Sequence, residues 1–208
     1  MGTTHPGAAF RPSVDRLRIR PREIAFDVDG VFADTFRMFV DTARRDFGCS
    51  FSYEDITEYE FRTVIEVDDN ISDTIIRRIM EDPIGCGIKP IPGAADVLSR
   101  LSRITPLLFV TARPESKSIR SWIRHHLPGV PETSIQVVAT GKGENKRSVL
   151  SELEVAYFVE DCLETGFLLE PHNVKPIIFD QPWNRKPHPF TVVKNWRQID
   201  AMLAWPKE

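Results

Sequence analysis

Ile24-Ala25-Phe26-Asp27-Val28-Asp29-Gly30-Val31 is the most informative segment of this chain. A short apolar, β-prone run leads directly into two acidic residues two positions apart, and residues i and i+2 of a strand project to the same face. If the strand ends here, the Asp27 and Asp29 carboxylates both lie at its carboxyl end, and Gly30 lets the chain leave in an unusual conformation. Neighbouring carboxylates repel each other unless a cation or a shared proton compensates. The segment therefore predicts either a metal site or acid–base chemistry.

The composition is typical of a globular protein with one substantial core. The 208 residues suffice for such a core with a small inserted subdomain. A formal net charge of -3 provides no general attraction to nucleic acid or to anionic lipid. No apolar run approaches the roughly 18–20 residues that cross a bilayer, and no signal-peptide pattern precedes the first strand. Cys49, Cys86 and Cys162 form neither a zinc-type nor a disulfide pattern, so we expect a reducing, cytoplasmic location.

Periodicity predicts two helices after the first strand and an alternating pattern later. One helix begins after Asp34 and ends at Gly48, and a second lies at about 72–81. Short apolar runs then alternate with helices. Strands are predicted at 106–110, 135–138, 155–159 and 177–179, and helices at about 93–103, 115–127, 145–153, 162–170 and 194–204. This alternation indicates an α/β protein with a mostly parallel sheet covered on both faces.

Polar residues that follow the apolar runs are the candidate site residues, because ligands of α/β sheets bind beyond the carboxyl ends of the strands. Besides the two aspartates, these residues are Thr111, Ala112, Arg113, Glu160 and Asp161, with a basic segment at 142–147. We expect the fold to gather them into one cleft. Acidic oxygen ligands suit Mg²⁺, and a hydroxyl with a lysine suits the oxygens of a phosphate.

The order of these motifs resembles that of the haloacid dehalogenase-like (HAD) superfamily. Its DxD, Ser/Thr, Lys and acidic motifs match Asp27-Val28-Asp29-Gly30-Val31, Thr111, Lys146 and Glu160-Asp161. The match covers about residues 24–179. The resemblance implies a three-layer, Rossmann-like, doubly wound parallel sheet with a small α-helical cap inserted after the first strand.

The resemblance also implies a role for each site residue. Asp27 would be the nucleophile that forms an aspartyl-phosphate, and Asp29 would be the general acid and base. Thr111 and Lys146 would hold the phosphoryl oxygens. Ala112 and Arg113 would lie beside them at the substrate. The implied Mg²⁺ ligands are the Asp27 side chain, the Asp29 backbone carbonyl and Asp161, with Glu160 as a further or supporting ligand.

The phosphate-binding lysine has two candidates. Lys146 lies in the first turn of a predicted helix and is preferred. Lys142 lies in a loop flanked by glycine and can reach the same place, so it stays open.

The resemblance and the composition together divide the chain into three parts. Residues 1–22 are expected to form an Arg-rich leader that packs loosely on the domain, and an anion-binding arm is the alternative. Residues 23–33 and 92–208 form the HAD-like core, and residues 34–91 form the small helical cap. Closure of such a cap excludes water and selects the leaving group.

The compact core and small cap are also similar to the 5'(3')-deoxyribonucleotidase-like branch, as is Phe179-Asp180-Gln181-Pro182-Trp183-Asn184-Arg185. This similarity implies a nucleoside monophosphate substrate that contacts Trp183, Asn184 and Arg185 at the cleft edge. An ordinary Pro-rich loop is the alternative for this segment. The acidic motif is Glu-Asp here rather than Asp-Asp, a departure that puts the metal preference in doubt.

The leading hypothesis is a Mg²⁺-dependent phosphomonoester hydrolase, because Asp29 is present and dehalogenases of the superfamily lack it. The favoured substrate is a small phosphorylated molecule, a nucleoside (deoxy)monophosphate. Nucleic acid and membrane partners are not expected, and the oligomeric state stays open. The alternatives are a phosphatase on nucleic-acid ends, sugar phosphates or phosphoprotein, and a non-catalytic Mg²⁺-binding scaffold.

Overall fold

Six strands form one parallel sheet within residues 17–206, the part of the chain that this computed structural model describes. The strands are β1 (Ile24–Phe26), β2 (Leu107–Thr111), β3 (Ile135–Ala139), β4 (Tyr157–Glu160), β5 (Lys175–Phe179) and β6 (Thr191–Val193). Their order across the sheet is β3-β2-β1-β4-β5-β6. The chain therefore runs outward from β1 to β3, then crosses back to the other side of β1. This doubly wound order leaves a crevice beside the carboxyl end of β1.

Helices cover both faces of the sheet, which confirms the predicted α/β class. The helices are α1 (Thr35–Phe47), α2 (Asp69–Glu81), α3 (Ala94–Leu101), α4 (Lys117–His126), α5 (Lys146–Glu152), α6 (Leu163–Leu169) and α7 (Trp196–Met202). Phe26 packs in one buried cluster with residues of α3, α4 and α7, including Trp122 and Trp196. Ala25 points to the opposite face, into a cluster with Leu150 of α5 and Leu169 of α6. The alternation along β1 thus separates the two helical layers.

Helices α1 and α2 lie in residues 34–91, which we call the insert. Helix α1 ends where Gly48 adopts a left-handed φ of 70°, and Asp68 caps α2 by accepting from the backbone N–H of residues 70 and 71. The chain leaves and re-enters the α/β layers along one short ribbon. There, the Asp34 N–H donates to the Lys89 carbonyl at 2.9 Å, and the Ile91 N–H donates to the Phe32 carbonyl at 2.7 Å.

Both ends of the described chain meet at one edge of the core. Ile19 is fully buried, and its backbone exchanges 2.8 Å hydrogen bonds with Met202 and Ala204. The end of the predicted leader is therefore firmly packed, while residues 1–16 lie outside the described residues. Strand β6 was not predicted, because three residues after a Pro-rich loop carry too little pattern. Among the described residues, every helix is too short or too polar to cross a bilayer.

Candidate active site

The candidate site lies where β1, β2 and β4 end side by side. Phe26 of β1 pairs with Phe109 of β2 on one side and with Val159 of β4 on the other. Asp27, which directly follows β1, therefore lies level with the ends of its neighbours, and its N–H donates to the Val159 carbonyl at 2.8 Å. Thr111 ends β2 and is buried. Ala112 follows it and is half-buried.

A cluster of three buried carboxylates occupies this edge. Oxygens of Asp27, Glu160 and Asp161 lie within 4.8 Å of one another. Burial raises the pKa of Asp27 well above its ordinary value, although the Lys146 ammonium opposes the shift. Burial, with the Glu160 charge, also raises the pKa of Asp161. Asp161 Oδ1 is buried without a hydrogen-bond partner among the described residues. A cation would satisfy this oxygen and relieve the repulsion, so the donor set fits an oxygen-preferring metal such as Mg²⁺.

Lys146 forms ion pairs with two members of this cluster. Its Nζ lies 2.7 Å from Asp27 Oδ2 and 2.9 Å from Glu160 Oε2, and its side chain is 2% exposed. Burial alone would raise the pKa of Glu160, but the Lys146 ammonium outweighs it and lowers that pKa. Lys142 is 74% exposed and lies 3.8 Å from Glu144. Of the two candidate lysines, Lys146 is thus the one beside Asp27.

Asp29 has different surroundings from Asp27. Arg113 Nε donates to its Oδ2 at 2.9 Å and Arg113 Nη2 to its Oδ1 at 2.8 Å, which makes a bidentate ion pair. Thr35 Oγ1, in the first residue of α1, donates to Oδ1 at 2.5 Å. Burial would raise the pKa of Asp29, but Arg113 and these hydrogen bonds lower it. Arg113 was predicted to contact substrate, and its guanidinium instead lies against Asp29.

The loops after β1 and β4 approach each other closely at Gly30. Its φ is +75°, and a Cβ added there would lie 2.0 Å from Asp161 Oδ2. Only glycine fits both this backbone conformation and this space. Glu160 holds the opposite loop, because its Oε1 accepts from the N–H groups of Asp161 and Cys162 at 3.0 and 3.1 Å. Both Glu160 oxygens therefore already have protein partners.

The turn at residues 181–184 braces both acidic loops. Gln181 Nε2 donates to the Gly30 carbonyl at 2.7 Å, and Tyr53 of the insert donates to Gln181 Oε1 at 2.6 Å. Asn184 Nδ2 donates to the carbonyls of Asp161 and Phe179, both at 2.8 Å. Asn184 thus lies beneath the acidic loop, which differs from its predicted place at the cleft edge.

The two other residues predicted from this segment contact the insert. Trp183 is 2% exposed and packs 4.4 Å, between ring centroids, from Phe36. Its Nε1 is buried without a partner among the described residues. Arg185 Nη1 lies 2.7 Å from Glu54 of the insert and is half-exposed.

Sequence reasoning missed two residues of this arrangement, Thr35 and Gln181, and it gave Gly30 a backbone role without its close approach to Asp161. Gln181 directly follows Asp180 at the end of β5, so the rule that applies to strand ends would have selected it. Thr35 had no comparable signal, because only the fold returns it to Asp29.

Known proteins resemble this chain in family and in fold. A family described as "5' nucleotidase, deoxy (Pyrimidine), cytosolic type C protein" matches residues 20–207. No curated protein matches the chain. Among solved structures, a haloacid dehalogenase-like hydrolase from Streptococcus pneumoniae is similar at a TM-score of 0.55 and 16% identity, over 85% of this chain and 95% of that one. A haloacid dehalogenase-like protein from Bacteroides fragilis is similar at a TM-score of 0.55 and 12% identity, over 85% and 98%. At these identities the structural likenesses establish the fold.

Proposed function

This chain belongs to the family of 5' nucleotidase, deoxy (pyrimidine), cytosolic type C proteins, a branch of the HAD-like phosphatases, and on that premise we propose a Mg²⁺-dependent hydrolase of nucleoside (deoxy)monophosphates. One observation carries the proposal. Buried Asp27 lies 2.7 Å from the Lys146 ammonium and within 4.8 Å of Asp161, at the crevice beside β1. The arrangement combines a carboxylate nucleophile with the positive charge that a phosphate dianion needs. The cytosolic description of the family supports a cytoplasmic location.

In the first step, an Asp27 carboxylate oxygen attacks phosphorus in line with the leaving oxygen. The new phosphorus–oxygen bond forms as the bond to the nucleoside oxygen breaks, and that oxygen takes the electron pair. Arg113 lowers the pKa of Asp29 in the free protein, and the negative charge of a bound phosphate raises it, so the Asp29 carboxyl holds a proton that it gives to the leaving oxygen. Lys146 faces Asp27 and offsets the charge of the phosphoryl oxygens, and the Thr111 hydroxyl at the adjacent strand end binds one of them.

In the second step, water replaces the nucleoside. The water oxygen attacks phosphorus while the Asp29 carboxylate takes a proton from that water. The bond between phosphorus and the Asp27 oxygen breaks. Inorganic phosphate and free Asp27 carboxylate result, and Asp29 is again protonated for the next cycle. Two modest barriers thus replace one very high one.

The cation would be held by Asp27, Asp161 and the Asp29 backbone carbonyl. When bound, Mg²⁺ supplies positive charge to the nucleophile and to the phosphoryl oxygens. The partnerless Asp161 oxygen supports this assignment. Glu160 supports rather than ligates, since Lys146 and two backbone N–H groups already engage its oxygens.

The insert serves as the cap in this proposal and supplies an apolar wall for the nucleoside. Phe36, Tyr59 and Phe61 of the insert form one edge-to-face group, and Trp183 of the core joins it at Phe36. Aromatic faces favour a planar base over a flexible sugar chain. Most of these rings pack against one another, and Tyr59, 40% exposed, is the most accessible.

Two assays test the proposal. With Mg²⁺, the purified protein should release phosphate from p-nitrophenyl phosphate, and Asp27→Asn should abolish nearly all release. Full activity in Asp27→Asn would rule out the aspartyl-phosphate. A panel of nucleoside monophosphates, sugar phosphates, phosphopeptides and phosphorylated oligonucleotides should favour the first class in kcat/KM. Equal rates across the panel would contradict the substrate assignment, and no release from any member would indicate a scaffold.

A further inference from the structure

Three hydrogen bonds fix the Asp29 carboxylate from two directions. The Arg113 fork engages both oxygens, and the Thr35 hydroxyl adds a third bond to Oδ1. A bidentate fork defines the plane of a carboxylate as well as its position, which a single ammonium does not. Arg113 is itself 3% exposed, so it is not a free cation at the surface of the cleft.

The same guanidinium contacts the insert. Arg113 Nη1 donates to the Ile79 carbonyl of α2 at 3.3 Å. Next to it, Ser118 Oγ of α4 donates to the Met80 carbonyl at 2.6 Å. These carbonyls belong to the last turn of α2, where no intrahelical partner exists and where positive charge is favourable. The donors on Asp29 therefore come from the start of α1 and from a core residue that also binds the end of α2.

We propose that Arg113 is a positioning residue that aims Asp29 at the leaving oxygen, while its own contact with the Ile79 carbonyl holds it against the end of α2. The inference rests on the proposed phosphatase function and deepens it. In this role Arg113 binds Asp29 and not the phosphate. It acts through Asp29, and its contact with Ile79 joins the acid–base group to the element that covers the cleft.

Leaving-group dependence separates this role from a structural one. A nucleoside alkoxide must be protonated as it leaves, whereas p-nitrophenolate is stable without a proton. Loss of Asp29 positioning should therefore slow nucleoside monophosphates far more than p-nitrophenyl phosphate. Proton transfer of this kind contributes roughly 10²–10⁴-fold. We expect Arg113→Met to lower kcat on a nucleoside monophosphate by about 100-fold more than on p-nitrophenyl phosphate, with KM nearly unchanged.

Three variants serve as controls. Arg113→Lys keeps the charge without the fork and should show an intermediate selectivity, which also covers the case in which Arg113→Met does not fold. Ser118→Ala removes the neighbouring contact with α2 but none with Asp29, so its ratio of the two rates should equal that of the wild type. In an Asp29→Asn background, Arg113→Met should not change the ratio further, because the group that it positions is gone.

The outcomes are distinct. Equal losses on both substrates would overturn the inference in favour of a structural role for Arg113. A large rise in KM on both substrates with kcat unchanged would overturn it in favour of phosphate binding. An additive effect in the Asp29→Asn background would also overturn it. Failure of the wild type on every monoester would refute the proposed function itself, which is a separate result.

Discussion

Replacement of Lys146 by methionine tests the electrostatics of the carboxylate cluster. The side chain keeps a similar length and loses its charge, so Asp27 and Glu160 lose the ammonium at 2.7 and 2.9 Å. Both carboxylates are almost fully buried, with side-chain exposures of 4% and 0%. Removal of one partner from a buried ion pair costs about 3–5 kcal/mol, because the remaining charge is uncompensated. In a chain of this size that corresponds to a fall in Tm of about 6–20 °C.

Lys142→Met is the matched control. Lys142 is 74% exposed and its Nζ lies 3.8 Å from Glu144, so its loss should cost about 0–1 kcal/mol. Urea unfolding followed by tryptophan fluorescence, with Mg²⁺ chelated, measures both free energies. Equal free energies of unfolding for the two variants would refute the electrostatic reasoning. Phosphate release should disappear in Lys146→Met and persist in Lys142→Met.

The pH dependence of the Lys146→Met defect has a definite sign. Without the ammonium, burial raises the folded-state pKa of Glu160 above its unfolded value, and it raises that of Asp27, which is already elevated in the wild type, still further. A carboxyl with a raised folded pKa destabilises above its unfolded pKa, and this penalty is relieved as pH falls through the folded value. In the wild type, the lowered pKa of Glu160 gives stability that is lost at low pH. The free-energy gap between the two proteins should therefore narrow between about pH 7 and pH 5. A constant gap would contradict this account.

Three further changes have defined outcomes. Gly30→Ala should lower the free energy of unfolding by about 1–2 kcal/mol because of the left-handed backbone, and by more because Asp161 is displaced. It should also weaken Mg²⁺ binding measured by calorimetry, and unchanged binding would contradict the close approach of Gly30 to Asp161. Asn184→Ala removes the donor that two buried carbonyls share, so it should lower the free energy of unfolding by about 1–3 kcal/mol in chemical denaturation and weaken Mg²⁺ binding. A loss below about 0.5 kcal/mol would show that Asn184 does not support the acidic loop. Burial raises the pKa of the Cys162 thiol well above its ordinary value, so this thiol should be alkylated more slowly at about pH 8 than the half-buried Cys49. Mass spectrometry measures both rates, and faster labelling of Cys162 would contradict its burial.

The sheet and its acidic edge were predictable because they follow from patterns that the chain carries locally. A short apolar run that ends in Asp27 reads as a buried strand whatever surrounds it, and Gly48 ends a helix through its own backbone. Parallel strands then bring their carboxyl ends together, so Asp27, Glu160 and Asp161 were expected in one place. The rule that polar residues at strand ends gather at one edge of the sheet depends only on the path of the backbone, so it succeeds for residues that directly follow a strand.

The partners of long side chains were not predictable in the same way. Arg113 lies two residues after Thr111, but its guanidinium contacts Asp29 and the Ile79 carbonyl, and no local sequence pattern specifies these partners. Trp183 and Asn184 were expected at the cleft edge because residues 179–185 are similar to the deoxyribonucleotidase-like branch. The structure buries both, because the loop folds back against the insert and the acidic turn. Sequence position gives the strand end, whereas tertiary packing selects the contact.

The hydrogen-bonded ribbon at the base of the insert has a consequence for how this protein can diverge. Because Asp34 and Lys89 are already joined, the intervening segment begins and ends at the same point on the sheet. The entropic cost of closing this segment grows only slowly with the number of residues in it. Inserts of different length can therefore be exchanged at this ribbon while the sheet stays intact. Substrate specificity can then change, in evolution or in the laboratory, by replacement of the insert alone.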